Sequence, residues 1–307
     1  MPLTEQAENF LRARANTNPP QWHEVAPPRA RQLFESLTDH LGEKPAIRRV
    51  EDRTIDEMIP IRLFSDCDSP APAVMYFHGG GWVLGNIRTH DAVCRRIAKT
   101  SGCVVIAVDY RLSPEHPFPT PLQDCIRATR YVSEHPEQLG VLPEKLALVG
   151  DSAGGNLATA VALHCRDEGG PTVDLQVLLY PVIEPNFDTP SYHQFSDGFG
   201  LTRTTMQWFW QQYLGDQIAS ELAAPIQAKS LAGLPTTHII TAEYDVLRDE
   251  GESFAAKLQR AGVPTTLQRY EGNLHGFVHL AGAFDDGLRA TQEIAQAIKA
   301  HLAPKIS

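Results

Sequence analysis

Six short apolar runs rich in β-branched residues recur along the chain, and stretches with helical spacing separate most of them. They are "AVMYF" (73–77), "CVVIAVDY" (103–110), "LALVG" (146–150), "LQVLLYP" (175–181), "THIITAEY" (237–244) and "TTLQRY" (265–270). Near-continuous apolar strands alternating with helices require a parallel sheet covered on both faces. Ahead of them, "AIRRVEDRTI" and "MIPIRLF" read as an antiparallel hairpin at the sheet's edge. The expectation is an α/β fold with a mostly parallel sheet of about eight strands.

Two stretches fall outside this alternation. Residues 1–45 hold two helical patterns, one with Ala7, Phe10, Leu11 and Arg14 and one with Leu33, Phe34, Leu37 and Leu41. In residues 184–224, Met206, Phe209, Trp210 and Tyr213 fall at i, i+3, i+4, i+7 before Gly215, which predicts a helix with an aromatic face. Both stretches read as a helical cap over the carboxyl ends of the strands, where open α/β sheets place their sites. The core then comprises 46–183 and 225–307, and Gly198 and Gly200 offer hinge positions in the cap.

Bulk properties narrow the partners. Among 307 residues, acidic side chains outnumber basic ones by 37 to 27, giving a formal charge of −10. That balance argues against nucleic acid and anionic lipid and favours a small neutral substrate. The start, "MPLTEQAENF", lacks the pattern of a secretory signal, and no apolar run approaches a membrane span. A cytoplasmic location is expected, and a homodimer is left open. Five cysteines without a C-x-x-C pair suggest reduced thiols, most of them buried, rather than disulfides or a zinc site. None sits in a glycine-flanked turn, so a cysteine nucleophile is disfavoured.

The chemistry concentrates at "VGDSAGGNLA" (149–158), which carries Gly150, Ser152 and Gly154 at G-x-S-x-G spacing. An apolar strand enters it. Beyond it, Leu157, Val161, His164 and Cys165 predict an amphipathic helix that stops at Gly169-Gly170. Strand, sharp turn and helix together are the context of a nucleophile elbow. A serine hydroxyl needs a base, and the helix start directs positive potential at the site. In "FHGGGWVLG" (77–85), Gly79, Gly80 and Gly81 can turn N–H groups toward a carbonyl oxygen, and the Ala153 amide adds another donor.

A triad in the order serine, acid, histidine needs two later residues. Asp245, just past "THIITAEY", leads over Glu243, which belongs to the strand end. It also leads over Asp249, which reads as the acidic first turn of a helix. His275 lies in a loop able to reach over the sheet, whereas His279 is expected to be helical already.

The motifs "HGGGW" (78–82), "DYRLSPEHPFP" (109–119), "GDSAGGN" (150–156), "YP" (180–181), "DVLRDEG" (245–251) and "HGF" (275–277) follow one another along nearly the whole chain. In order and spacing the sequence resembles the hormone-sensitive-lipase-like carboxylesterases, the bacterial family IV of the α/β-hydrolase fold, in their GDSAG form. The resemblance implies Ser152 as nucleophile, Asp245 as orienting acid, His275 as base and the amides of Gly80, Gly81 and Ala153 as the oxyanion hole. It also implies short- to medium-chain acyl esters as substrates. "DYRLSPEHPFP" becomes a structural segment, with Asp109, Arg111 and Glu115 as hydrogen-bonded support and Ser113-Pro114 and Phe118-Pro119 as candidates for cis bonds. Val246 stands where the family usually has proline, and Ser113 where it has alanine.

Trp82, Leu247, Phe277 and the aromatic cap helix are the apolar groups expected around the substrate. No metal or cofactor is required. The same triad would serve an acetylated sugar, a lactone, an arylamide or a thioester. A non-catalytic ligand-binding role, as in the plant gibberellin receptors that resemble this family, is disfavoured because those lack the working histidine.

Overall fold

The computed structural model describes residues 1–68 and 70–303. In chain order the strands are β1 (Arg49–Ile55), β2 (Ile59–Ser65), β3 (Ala71–Phe77), β4 (Val104–Val108), β5 (Val141–Asp151), β6 (Leu175–Leu179), β7 (Thr236–Tyr244) and β8 (Thr265–Leu274). They form one sheet in the order β1-β2-β4-β3-β5-β6-β7-β8. β1 pairs antiparallel with β2 and β2 antiparallel with β4, while the remaining pairings are parallel. This is the α/β-hydrolase arrangement expected from the sequence.

Residue pattern and position in the sheet agree. "VVIAV" in β4 and "LQVLL" in β6 are buried at every residue because helices cover both faces. The edge strand β1 alternates half-buried and exposed residues until Ile55. The polar Gln176 of β6 is tolerated inside because its amide donates to Thr237 Oγ1 at 2.8 Å.

The helices are α1 (Glu5–Thr17), α2 (Pro27–Glu35), α3 (Asp91–Ser101), α4 (Thr120–Glu134), α5 (Pro136–Leu139), α6 (Ala153–Glu168), α7 (Pro190–Gln194), α8 (Arg203–Leu214), α9 (Arg248–Arg260) and α10 (Asp285–Leu302). On one face of the sheet, α3 and α10 bury residues such as Ile97, Ile294 and Ile298. On the other, α4, α6 and α9 join α2 and α8 in a second apolar cluster. None of the described helices is long and apolar enough to cross a membrane. Among the described residues there is no disulfide, and Cys94, Cys103, Cys125 and Cys165 are buried.

Three local expectations change. α6 is not amphipathic: every residue from Ala153 to Leu163 is buried, since the sheet, α4 and the segment at Pro225–Gln227 enclose it. β8 continues past the apolar run to Leu274, so His275 follows directly on a strand. His279 lies in a series of turns, and α10 begins only at Asp285. Gly276 there has a φ of 81°, and the Gly282 N–H donates out to the His40 carbonyl rather than back along a helix.

Residues from both segments outside the alternation meet the carboxyl ends of the strands. α8 is capped by Thr202, whose hydroxyl accepts from the Thr205 N–H, and buries Met206, Phe209, Trp210 and Tyr213. Trp22 lies 6.0 Å from Phe209, and His23 Nδ1 is 2.8 Å from Thr205 Oγ1. The Ser191 hydroxyl donates to the Val246 carbonyl past β7, and the Thr4 N–H donates to the Gly272 carbonyl near the end of β8.

Candidate active site

β5 ends at Asp151 and α6 begins at Ala153, so Ser152 alone makes the reversal, at φ 57° and ψ −119°. Such a backbone costs a non-glycine residue about 1–3 kcal/mol and survives only where the surroundings enforce it. Here the Ser152 N–H donates to the Leu179 carbonyl at 2.8 Å, and the Ser152 carbonyl accepts from Val182 at 3.1 Å. The flanking glycines are steric requirements: a Cβ on Gly150 would strike the Gly154 carbonyl, and one on Gly154 the Phe77 carbonyl.

His275 Nε2 stands 3.1 Å from Ser152 Oγ, and His275 Nδ1 stands 2.6 Å from Asp245 Oδ2. The other carboxylate oxygen of Asp245 accepts from the Leu247 N–H at 2.9 Å, which fixes its orientation. Asp245 is buried, whereas the His275 side chain keeps 14 % exposure, enough for a ligand to approach. The Tyr180 ring lies 4.7 Å from the imidazole and supports it from behind.

The rivals point elsewhere. The Glu243 carboxylate accepts from Gly272 N–H at 2.7 Å and pairs with the N-terminal ammonium at 2.6 Å. Asp249, in the first turn of α9, accepts from the Ser191 N–H at 2.8 Å. His279 is buried with its ring stacked against His90 at 4.2 Å.

In the loop after β3, the Gly79 N–H is already committed to Asp151 Oδ1 at 3.0 Å. The Gly80 carbonyl accepts from Val83 and Leu84, tightening the turn. Gly80 and Gly81 have φ of 117° and 60°, and a Cβ on Gly81 would enter the Phe209 ring. Among the described residues no acceptor within the protein meets the Gly80, Gly81 or Ala153 amides. Next to them Trp82, also at positive φ, is fully buried and stacked on Tyr213 at 4.1 Å. Leu247 is fully buried at the start of α9, and Phe277 packs on Tyr180 and Tyr270 behind His275.

The segment 109–119 braces this loop. Arg111 makes a bidentate pair with Asp124, and Arg31 grips Glu115 while donating to the Val83 and Ser113 carbonyls. Asp109 accepts from the Ile87 N–H at 3.2 Å. Both Ser113-Pro114 and Phe118-Pro119 are cis. Sequence reasoning passed over Asp151, whose carboxylate receives both the Tyr76 hydroxyl and the Gly79 amide. Its only local signal is an acidic residue beside the serine in an otherwise apolar and small-residue run.

Glu250 lies behind the Asp245 loop, fully buried, with one oxygen accepting from the Ile183 N–H at 2.6 Å. Burial pushes its pKa well above the usual carboxylate range. The folded state therefore binds the proton more tightly than the unfolded chain, and stability should fall as pH rises from the ordinary glutamate pKa toward the raised one. Glu250→Gln keeps the acceptor and removes the titration. Melting temperatures across that window should decline in the parent and flatten in the variant, and parallel curves would contradict this.

Comparison with known proteins places this geometry. Residues 74–279 match the family described as alpha/beta hydrolase fold. The chain is 42 % identical over 254 residues to the carboxylic ester hydrolase LipN of Mycobacterium tuberculosis, covering 80 % of this chain and 67 % of that one. A thermostable esterase from Pseudomonas putida ECU1011 superposes with a TM-score of 0.96 at 36 % identity, covering 99 % of both chains. The hyperthermophilic esterase of the archaeon Pyrobaculum calidifontis superposes with a TM-score of 0.93 at 40 % identity, covering 98 % of this chain and 99 % of that one. With motifs, fold and relatives in agreement, the chain belongs to the α/β-hydrolase fold family, among its hormone-sensitive-lipase-like carboxylesterases.

Proposed function

We propose that this chain is a serine carboxylesterase of the GDSAG form that hydrolyses short- to medium-chain acyl esters. Ser152 serves as nucleophile, His275 as base and then acid, and Asp245 as the carboxylate that orients it. The observation that carries the reading is the unbroken line from Asp245 through His275 to Ser152, next to amides with no protein acceptor. The names of the relatives, esterases and carboxylic ester hydrolases, support it.

Ser152 Oγ bonds to the ester carbonyl carbon while its proton passes to His275 Nε2, and the carbonyl oxygen becomes an anion facing Gly80, Gly81 and Ala153. The carbon–alkoxy bond then breaks, and the alcohol leaves with the proton from Nε2. Water repeats the sequence on the acyl-serine: it adds to the carbonyl, gives its proton to Nε2, and Ser152 Oγ departs and regains that proton. Each step uses protein groups and water alone. Asp245 stays ionised, holding Nδ1–H and stabilising the imidazolium.

Trp82 and Leu247 are taken as the apolar surroundings of the acyl group, whereas Phe277, expected there from the sequence, packs on Tyr180 and Tyr270 and backs the imidazole instead. Trp22, which contacts Phe209 over Gly81, also lines a cavity of about 530 Å³ between α1 and α2, whose walls include none of Ser152, Asp245 and His275. The segments 1–45 and 184–224 act as a cap over the core 46–183 and 225–307 in this reading. Work in the cytoplasm, as a monomer or homodimer, on a neutral ester completes it.

Turnover of p-nitrophenyl esters from acetate to palmitate tests the proposal. Activity should be highest between butyrate and octanoate and low on palmitate. A phosphonate probe should label Ser152 and abolish turnover. A maximum on palmitate would overturn the chain-length reading, and labelling elsewhere would overturn the nucleophile.

A further inference from the structure

A second buried polar cluster lies under the glycine loop, centred on Asp151. His90 Nε2 is 3.4 Å from its Oδ2, while Tyr76 and Gly79 donate to Oδ1. The other ring nitrogen, His90 Nδ1, is 2.9 Å from Thr89 Oγ1. That hydroxyl has one proton, and the Asn86 carbonyl at 2.8 Å is placed to receive it, while the Asn86 N–H donates to the same oxygen at 3.0 Å. Nε2 faces the Asp151 carboxylate, which can only accept, so Nε2 is the ring nitrogen that donates toward it.

The rings of His78 and His279 lie 5.4 and 4.2 Å from His90. Burial first, then the charge at His90, lowers both, His78 to about 3, so both are neutral. Burial alone would raise Asp151, but the charge and hydrogen bond of His90 outweigh it and hold the carboxyl below its usual range. Tyr76 and Cys94, pushed up by burial, stay protonated. Asp91, next in the chain, is paired instead with Arg95, Arg62 and Lys44.

We infer that His90 is a positioning residue for the oxyanion loop: its Nε2 holds the Asp151 carboxylate in place so that Asp151 can hold the Gly79 amide. Because Gly79 precedes Gly80 and Gly81, its anchored peptide sets the aim of their N–H groups; this rests on the proposed role of those amides. The stack on His279 ties the same ring to the loop that carries His275.

Two variants of the full chain test it, His90→Gln and His90→Gln with Asp151→Asn. The single variant takes the imidazole donor away from the buried Asp151 carboxylate. Its kcat should fall about tenfold or more with KM within about twofold, and an alkyl boronic acid should bind more weakly in proportion to the lost kcat. Adding Asp151→Asn keeps an oxygen for Gly79 and removes the charge, so kcat should recover at least about threefold over the single variant. Unchanged kcat with a lowered melting temperature, or a double variant worse than the single, would overturn the inference. Nitrogen-15 spectra of histidine-labelled parent protein at pH 7 read the ring without any variant or turnover: His90 Nε2, which faces Asp151, should carry hydrogen, and a bare Nε2 would sink the proposal even if ester hydrolysis holds.

Discussion

Replacing Ser152 with alanine should lower ester turnover by about 10⁶-fold, the scale seen when a serine-protease nucleophile is removed, and leave the fold unchanged. Alanine retains a Cβ, so the strained backbone at φ 57° is neither relieved nor worsened, and the bracketing hydrogen bonds to Leu179 and Val182 use main-chain atoms only. The amides of Gly80, Gly81 and Ala153 stay in place, so residual turnover of about 10³–10⁴ over water is expected from oxyanion and substrate binding. Steady-state rates together with a thermal melt check this. Activity within tenfold of the parent, on a folded variant, would remove Ser152 from the mechanism.

Asp245→Asn should cost about 10⁴-fold in kcat, by a route the geometry makes specific. One carboxylate oxygen accepts from the Leu247 N–H, and that donor will hold the amide oxygen of the variant in the same place. The amide nitrogen is thereby directed at His275 Nδ1, now forced to accept. The ring proton moves to Nε2, which can no longer take the proton of Ser152. Kinetics on a soluble ester, with Glu243→Gln and Asp249→Asn as controls retaining most activity, provide the measurement. A loss confined to KM would contradict the tautomer argument.

Much of the fold was legible in the chain because a parallel sheet covered on both faces must be made of nearly continuous apolar runs. The central strands lie on such runs, the edge strands β1 and β2 on the stretch read as a hairpin, and Gly169 ends α6 where a left-handed C-terminal position was needed. The elbow was legible too, since the glycines at 150 and 154 are required by contacts within a few residues and by one neighbouring strand. Local pattern misled at α6, whose burial on all sides depends on α4 and the segment beyond residue 220 rather than on its own periodicity. It misled again at His279, where helical spacing continued but Gly276 and Gly282 turned the backbone away.

The sequence by itself determined the order of elements, the strand–turn–helix at Ser152 and the glycine-rich loop, because each follows from periodicity or backbone sterics within a short span. Only the tertiary structure decided which carboxylate faces His275 and which glycine amide is taken by Asp151. Those choices depend on hydrogen bonds reaching across 30 and 72 residues. Their geometry is set by how the ends of separate strands lie side by side, and no local pattern records it.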